Sequence, residues 1–393
     1  MNPIECGKII VLGFYNRKNL GDDSYMYAMH CIFGNQVYLE FHCMDDIHEI
    51  PLNTSTVICG GGDIINDYFM KKAEKLLANF VGRVYGVSIG IPYESCAKYL
   101  LLFDHVFMRS KKDYDIAVSV LGRKNVDLCP DISWKLASMV YSYPKKVMNS
   151  HFKIGLSLSQ PYFVNNEHEL KYIIDTIKNI SRPVEWHLLA FNYNENNPLE
   201  CDNILFDKLT AELGELGKSS NIIRPCLKTP LEMLNYIKKN IDLLVGMRYH
   251  AIAFALITGK RVIPIISSSK TENISYDHNL EPIEIKDISY VIDRYDFSNE
   301  QINLDINSNI NLDIFSDIFS DIRNIITSQK RRHIIPFYIT LPFEVLLQKC
   351  IVSLSRYFNI SIDDANEIIR KQAKFNTYGK RSLDVAYFII YIY

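Results

Sequence analysis

The chain has 393 residues, enough for two or three domains, and its hydrophobic (48%) and charged (22%) contents are ordinary for a soluble globular protein. A formal net charge of −2 excludes a general basic field that would attract nucleic acid or an anionic membrane. The nine cysteines are odd in number and form no CxxC pair, which argues against zinc and favours a reducing compartment. Because no apolar run reaches the length of a signal peptide or a membrane span, we expect a cytoplasmic protein with no transmembrane segment.

Residues 1–148 alternate short apolar runs with amphipathic stretches. The runs predict strands at 8–13, 36–41, 55–59, 83–88 and 104–108. Amphipathic spacing predicts helices after Asp22, Asp67 and Lys111. Such alternation indicates a parallel α/β sheet, so we expect an N-terminal Rossmann-like domain over residues 1–148.

The same alternation resumes after a polar stretch at 141–150, which predicts a linker. The spacing predicts a second Rossmann-like domain over 149–330, in which Thr229 and Glu232 form a capping box at a helix start. Periodicity is weak over 272–310, and residues 331–393 look like a helical extension that packs back on the N-terminal domain or forms an oligomer contact. The predicted strands are 153–158, 184–190, 220–224, 242–245 and 261–266, and the helices are 167–180, 203–214, 249–258 and 312–326.

Three of the predicted strands in the first domain end in glycine. Glycine tolerates positive φ and lets a backbone approach a ligand, so these ends predict a crevice at one edge of the sheet. Asp22 opens a helix that one Asp would cap, and Asp63 would project into the crevice as a base or a hydroxyl acceptor. A capped βα loop and a glycine turn with an Asx cap are the structural alternatives. The glycines concerned are Gly21, Gly60, Gly61, Gly62 and Gly90.

The segment Arg248-Tyr249-His250 lies where a buried strand gives way to a helix. A guanidinium and an imidazole two residues apart can hold an anion and move a proton at one point. Arg109 also follows an apolar strand, and Lys270 lies twenty residues after His250. A surface arginine and a core histidine are the structural alternatives for Arg109 and His250.

Taken in order, these motifs resemble the polysaccharide pyruvyl transferase family. The resemblance rests on Asn19-Leu20-Gly21-Asp22-Asp23, Gly60-Gly61-Gly62-Asp63, Gly86-Val87-Ser88-Ile89-Gly90, Arg109, Pro130-Asp131 and Gly246-Met247-Arg248-Tyr249-His250. It implies two Rossmann-like domains in a GT-B-like arrangement. It also implies transfer of a pyruvyl group from phosphoenolpyruvate to two sugar hydroxyls, which makes a cyclic ketal and releases phosphate, with no metal or cofactor.

The resemblance also assigns roles to residues. It makes Arg109, Arg248 and His250 contacts of phosphoenolpyruvate, with His250 as the acid, and it places Asp63 on the acceptor side. Lys270 resembles a lysine that often follows the Arg-x-His segment. We accordingly expect His250, Arg248 and Asp63 to be catalytic. The expected substrate-binding residues are Arg109, Tyr249, Lys270, Gly21, Asp22, Gly60, Gly61, Gly62 and Gly90.

Two other functions stay open at this point. A GT-B glycosyltransferase that uses a nucleotide sugar would share the two-domain cleft, although residues 246–290 lack the glutamate pair of retaining GT-B enzymes. A non-catalytic homologue could serve as a scaffold through its C-terminal helices, but such a protein would have little use for Arg248, His250 and Asp63 together. The expected partners are therefore phosphoenolpyruvate and a sugar or glycan acceptor, in a protein that forms either a monomer or a homo-oligomer.

Overall fold

The computed structural model describes residues 8–33, 38–141 and 151–295, and its first part is a six-stranded parallel sheet with helices. The elements are β1 (Lys8–Gly13), α1 (Leu20–Phe33), β2 (Leu39–Cys43), β3 (Thr54–Gly62), α2 (Asp67–Leu77), β4 (Arg83–Ile89), β5 (His105–Met108), α3 (Lys111–Leu121) and β6 (Val126–Leu128). The strand order is β2-β1-β3-β4-β5-β6, and every neighbouring pair is parallel. The carboxyl ends of these strands therefore lie along one edge of the sheet.

The second part is a five-stranded parallel sheet of the same kind. Its elements are β7 (Phe152–Ser157), α4 (Gln160–Asn165), α5 (Leu170–Asn179), β8 (Val184–Leu188), α6 (Asp202–Leu213), β9 (Ile222–Ile223), α7 (Pro230–Asn240), β10 (Leu243–Gly246), α8 (Tyr249–Ile257), β11 (Arg261–Pro264), α9 (Ser269–Asp277) and α10 (Ile288–Arg294). The strand order is β11-β10-β7-β8-β9, again with parallel pairs. Two Rossmann-like parallel sheets confirm the predicted fold class. The predicted domain boundaries themselves stay a prediction.

One apolar core joins the two sheets. It contains Tyr25 and Met29 of α1 together with Ile252 and Phe254 of α8, all four fully buried. The side chains of α8 are buried from residue 251 to residue 257, as expected for a helix that is apolar on all sides. The polar residues at the start of α8 are therefore held between the sheets.

The start of α1 differs from the prediction. The helix begins at Leu20, and Asn19 takes the capping role expected of an aspartate, since its Oδ1 accepts the N–H of Gly21 at 3.1 Å. Asp23 instead accepts the N–H of Asn16 at 2.7 Å, within a loop where Asn16 and Lys18 both have φ near +59°. The predicted Asp cap is wrong because Asn19 precedes Asp22 by three residues, so both aspartates already lie in the first turn of the helix.

In the second part most predicted elements are present, with changed bounds. The capping box of Thr229 and Glu232 at the start of α7 is confirmed. The strand predicted at 220–224 shrinks to two residues, and the region of weak periodicity contains part of α9 and all of α10. The linker residues 142–150, the helix predicted at 312–326 and the extension 331–393 lie outside the described residues. In the described ranges no helix is both long and apolar enough to cross a membrane.

Candidate functional site

The three residues Arg248, Tyr249 and His250 at the start of α8 contact three different partners. Arg248 faces Asp202 of the second sheet's own helix α6, whereas Tyr249 lies under the guanidinium of Arg109, with 4.2 Å between the Arg109 Cζ and the ring centroid. His250 turns towards α1. This segment therefore joins groups from both halves of the protein.

His250 forms the end of a buried chain of hydrogen bonds. Its Nε2 lies 3.2 Å from the hydroxyl of Tyr25, which donates to Oδ2 of Asp131 at 2.6 Å. Because the single hydroxyl proton of Tyr25 points to Asp131, Nε2 of the neutral imidazole must carry a proton and donate to Tyr25. Burial lowers the pKa of His250 to about 4, so the imidazole is neutral at pH 7 without a bound anion.

Arg109 is buried, and its charge is compensated from several sides. It donates to Asp63 Oδ1 at 2.5 Å, to Asp131 Oδ2 at 3.3 Å and to the Tyr25 hydroxyl at 3.1 Å. A guanidinium with five donors suits such a set of acceptors. The structural alternative of an ordinary surface arginine is wrong, since Arg109 lies inside the junction of the two sheets.

Asp63 has both carboxylate oxygens paired with cations. One faces Arg109, and the other lies 3.3 Å from the ammonium of Lys270 on α9. Burial alone would raise the pKa of Asp63, but Lys270 and Arg109 together outweigh burial and lower it. An ionised carboxylate in this arrangement is a weak base, so the geometry favours a role in holding the two cations.

Arg248 is anchored by Asp202, a residue that the sequence did not point to. Asp202 is fully buried and accepts the N–H groups of Gln160, Phe191 and Asn192 as well as a bond from Arg248. Arg248 also donates to the carbonyl of Glu200 at 3.2 Å. Its buried Nε has no hydrogen-bond partner in the described ranges, which leaves a donor available for an anion.

Asp22 lies in the first turn of α1 and forms no ion pair with any described residue. Burial raises the pKa of Asp22 to about 7, although Lys270, Arg109 and Arg248 act in the opposite direction. A carboxyl group with this pKa exchanges a proton near neutral pH, as a general acid or base does. The pKa of Asp22 therefore suits it to proton transfer, and a catalytic role of Asp63 stays a prediction.

The glycines make room for these side chains. A Cβ on Gly21 would lie 2.1 Å from Nδ1 of His250, and a Cβ on Gly61 would lie 2.1 Å from the ring of Tyr25. A Cβ on Gly90 would lie 2.4 Å from Asp63 Oδ1, and one on Gly60 would lie 3.0 Å from the hydroxyl of Tyr15. Gly62 has the most room, although its φ of +79° itself favours glycine. Three of the five glycines thus make room for side chains of the site, whereas Gly60 makes room for Tyr15.

The space between Arg109, Asp63, Tyr249 and Lys270 is small. Its volume is about 10 Å³, roughly what one water molecule occupies. A substrate of the size of a three-carbon phosphate therefore requires Lys270 and α9 to move, or the pairs of Asp63 to open. Lys270 is the most exposed of these charged groups and the easiest to displace.

The sequence motifs predicted most of these site residues but not the residues that bond to them. Arg109, Asp63, Tyr249 and Lys270 meet in one place, and Asp22 and His250 lie beside them. No sequence motif pointed to Tyr25. Its signal was its place one turn after Asp22, on the same face of α1.

Comparisons with known proteins identify the family and the fold. The model of the polysaccharide pyruvyl transferase family matches residues 7–269. No curated protein matches the chain. Among solved structures it is similar to S. aureus MnaA in a structure with UDP, at 12% identity and a TM-score of 0.57 over 81% of this chain and 97% of that one.

A putative UDP-N-acetylglucosamine 2-epimerase from Listeria monocytogenes is similar at 11% identity and a TM-score of 0.53, over 85% of this chain and 100% of that one. Identities this low show the fold alone, a GT-B-like pair of Rossmann-like domains. The family model, in contrast, covers more than half of the chain, including β1, α8 and every residue of the site except Lys270. The chain therefore belongs to the polysaccharide pyruvyl transferase family.

Proposed function

We propose that this protein transfers the pyruvyl group of phosphoenolpyruvate to two hydroxyls of a sugar, forming a ketal and releasing phosphate. The observation that carries the proposal is the insertion of Arg248-Tyr249-His250 among Arg109, Lys270 and Asp22, which belong to both halves of the chain. Membership of the pyruvyl transferase family supports a transferase that acts on a polysaccharide or its precursor.

Three cations are available for the donor. Phosphoenolpyruvate carries a carboxylate and a phosphate, and the fork of a guanidinium suits either group. The free Nε of Arg248 would bind one of them, while Arg109 and Lys270 would exchange part of their contact with Asp63 for the other. Asp202 would hold Arg248 in position throughout, because its own bonds to the backbone do not involve the substrate.

Proton transfer falls to His250 and Asp22. A bound phosphate dianion would raise the pKa of the His250 imidazole from about 4, so that it could carry the proton delivered to C3. The electrophilic C2 would then bond to the first sugar oxygen, whose proton goes to Asp22. The C2–O bond to phosphate breaks, and the second hydroxyl closes the ketal. Of the two hydroxyl protons, one balances the new C3–H bond and the other leaves with phosphate.

The experiment is mass spectrometry of small glycans after incubation with phosphoenolpyruvate, together with a measurement of released phosphate. The expected product is heavier by one pyruvyl ketal. His250→Ala should lose phosphate release. Arg248→Lys should also lose most of it, because lysine cannot form the bidentate fork. Lys218→Ala, which removes a charge from an exposed helix-end pair, is the matched control. Near-normal phosphate release by His250→Ala would show that His250 is not the acid.

A nucleotide-sugar transferase is the rival activity for the same fold. Thermal unfolding separates the two, because a ligand that binds only the folded state raises the melting temperature. We expect protection by phosphoenolpyruvate and none by UDP-N-acetylglucosamine. Protection by the nucleotide sugar alone would reject the proposed donor.

A further inference from the structure

A second cavity lies on the opposite face of α1 from His250. It has a volume of about 280 Å³, close to the lower limit of ordinary ligand sites. Asp23 and Tyr27 line it from α1, and Tyr193 and Lys228 line it from the second half of the chain. Lys18 completes the lining from the loop after β1. The cavity is therefore formed by both halves, as the site around His250 is.

The wall of this cavity is fixed by bonds between the two halves. The N–H of Tyr193 donates to the carbonyl of Lys18 at 3.0 Å, and the N–H of Leu20 donates to the carbonyl of Phe191 at 2.8 Å. The Tyr193 hydroxyl donates to the carbonyl of Lys228 at 2.9 Å. These bonds hold Lys18 in its left-handed conformation, with φ of +59°. A conformation that costs energy is retained where the surrounding structure fixes it.

The lining combines three kinds of group. Tyr27 and Tyr193 present aromatic surface on which a sugar ring can lie. Asp23 is 9% exposed, and its Oδ1 accepts the N–H of Asn16. No residue in the described part of the chain donates to its other oxygen, which can therefore accept sugar hydroxyls. Lys18 and Lys228 are exposed, and neither forms an ion pair in the ranges that the structure describes. Two unpaired ammonium groups at the rim favour a ligand with a negative charge.

We propose that this cavity binds a sugar unit that carries a phosphate or a carboxylate, as part of the acceptor. The ring would lie against Tyr27 and Tyr193, its hydroxyls would donate to Asp23, and its anionic group would contact Lys18 and Lys228. The assignment to the acceptor rests on the proposed pyruvyl transfer. Asp23 directly follows Asp22, so this cavity adjoins the turn of α1 that carries the proton-transfer group.

The test measures binding of glucose 1-phosphate, glucuronic acid and glucose by ligand-observed saturation-transfer NMR and calorimetry. We expect the wild type to bind a charged sugar, with the two charged probes separating phosphate from carboxylate. Lys18→Ala/Lys228→Ala should weaken that binding by on the order of tenfold, as two partly exposed charge contacts would. The matched control is Lys124→Ala/Lys218→Ala, which removes two exposed charges outside both cavities.

A third variant tests the aromatic wall. Tyr193→Ala should weaken binding of the same sugar more than Tyr193→Phe, which keeps the ring and loses only the bond of its hydroxyl to the Lys228 carbonyl. Equal binding of glucose, equal weakening by the control pair, or no binding of any probe would overturn the proposal. Protection by phosphoenolpyruvate is measured separately. If that protection is absent while the charged sugar binds, the donor assignment fails and the sugar site stands.

Discussion

Replacing Gly21 with alanine tests the contact between α1 and His250. The added Cβ would lie 2.1 Å from Nδ1, 2.6 Å from Cγ and 3.0 Å from Cε1 of His250. Ordinary contact distances are about 3.5 Å, so either the ring or the helix must move by roughly 1 Å. The ring has little freedom, because it packs edge-on against Tyr25 and Tyr249, with centroids 5.3 and 5.1 Å away.

Two effects on stability oppose each other in this variant. Overpacking of a buried contact costs about 1–3 kcal/mol. Alanine in place of glycine in a helix returns up to about 1 kcal/mol, and less in the first turn. We expect a net loss of about 1–2 kcal/mol in the free energy of unfolding, measured by urea denaturation. A displacement of this size should also reduce phosphate release by about a hundredfold.

A double-mutant cycle shows whether the clash is with the histidine. In a His250→Ala background the ring is absent, so Gly21→Ala should cost little or should stabilise the protein slightly. An equal loss of stability in both backgrounds would refute the argument, since the destabilisation would then arise elsewhere in α1. Wild-type stability and wild-type phosphate release of Gly21→Ala would also refute the argument.

Three further variants and one control test the charged groups. Burial raises the pKa of Asp22 to about 7, so the wild-type folded state loses stability as pH rises from about 4 to 7. The free energy of unfolding of Asp22→Asn should therefore exceed that of the wild type by about 1–3 kcal/mol at pH 8 and equal it at pH 4. The pKa of His250 is lowered to about 4, so wild-type stability should fall as pH drops from about 6.5 towards 4, and His250→Gln should fall less over that interval. Asp202→Ala should cost about 3–5 kcal/mol, because it removes the carboxylate partner of Arg248 and the acceptor of three N–H groups, two of them buried. Asp207→Ala, which breaks an exposed pair, should cost under about 1 kcal/mol. Urea denaturation at each pH checks all three predictions. A free energy of unfolding that does not depend on pH would contradict the first two, and equal losses of stability for Asp202→Ala and Asp207→Ala would contradict the third.

The sequence predicted elements well where local signals were strong. Apolar runs that end in glycine, such as β3, and a capping box such as that of Thr229 depend on neighbours a few residues apart. The helix α9 has polar residues over most of its length, and its burial comes from contacts with α8 rather than from a strong apolar stripe. Its periodicity was therefore too weak to predict.

Partners at the site were predicted less well, because they lie far apart in sequence. Tyr25 and Asp131 are separated by 106 positions and Arg248 and Asp202 by 46, so no spacing rule relates them. The sequence motifs predicted that these glycines belong to the site, but not which side chains fill the space that they leave. A sequence shows that a Cβ is absent, whereas only the fold shows that the space at Gly21 holds an imidazole.

Helix α1 serves both cavities through opposite faces. Asp22 and Tyr25 face the site of His250, while Asp23 and Tyr27 line the second cavity. Successive residues of an α-helix are rotated by 100°, so residues of neighbouring turns of α1 contact both sites. Since the Leu20 N–H is bonded to Phe191 of the second half, a movement of one half against the other must displace both faces together. A variant that loosens this bond should therefore change donor and sugar binding in parallel, whereas a variant on one face should change only one of them.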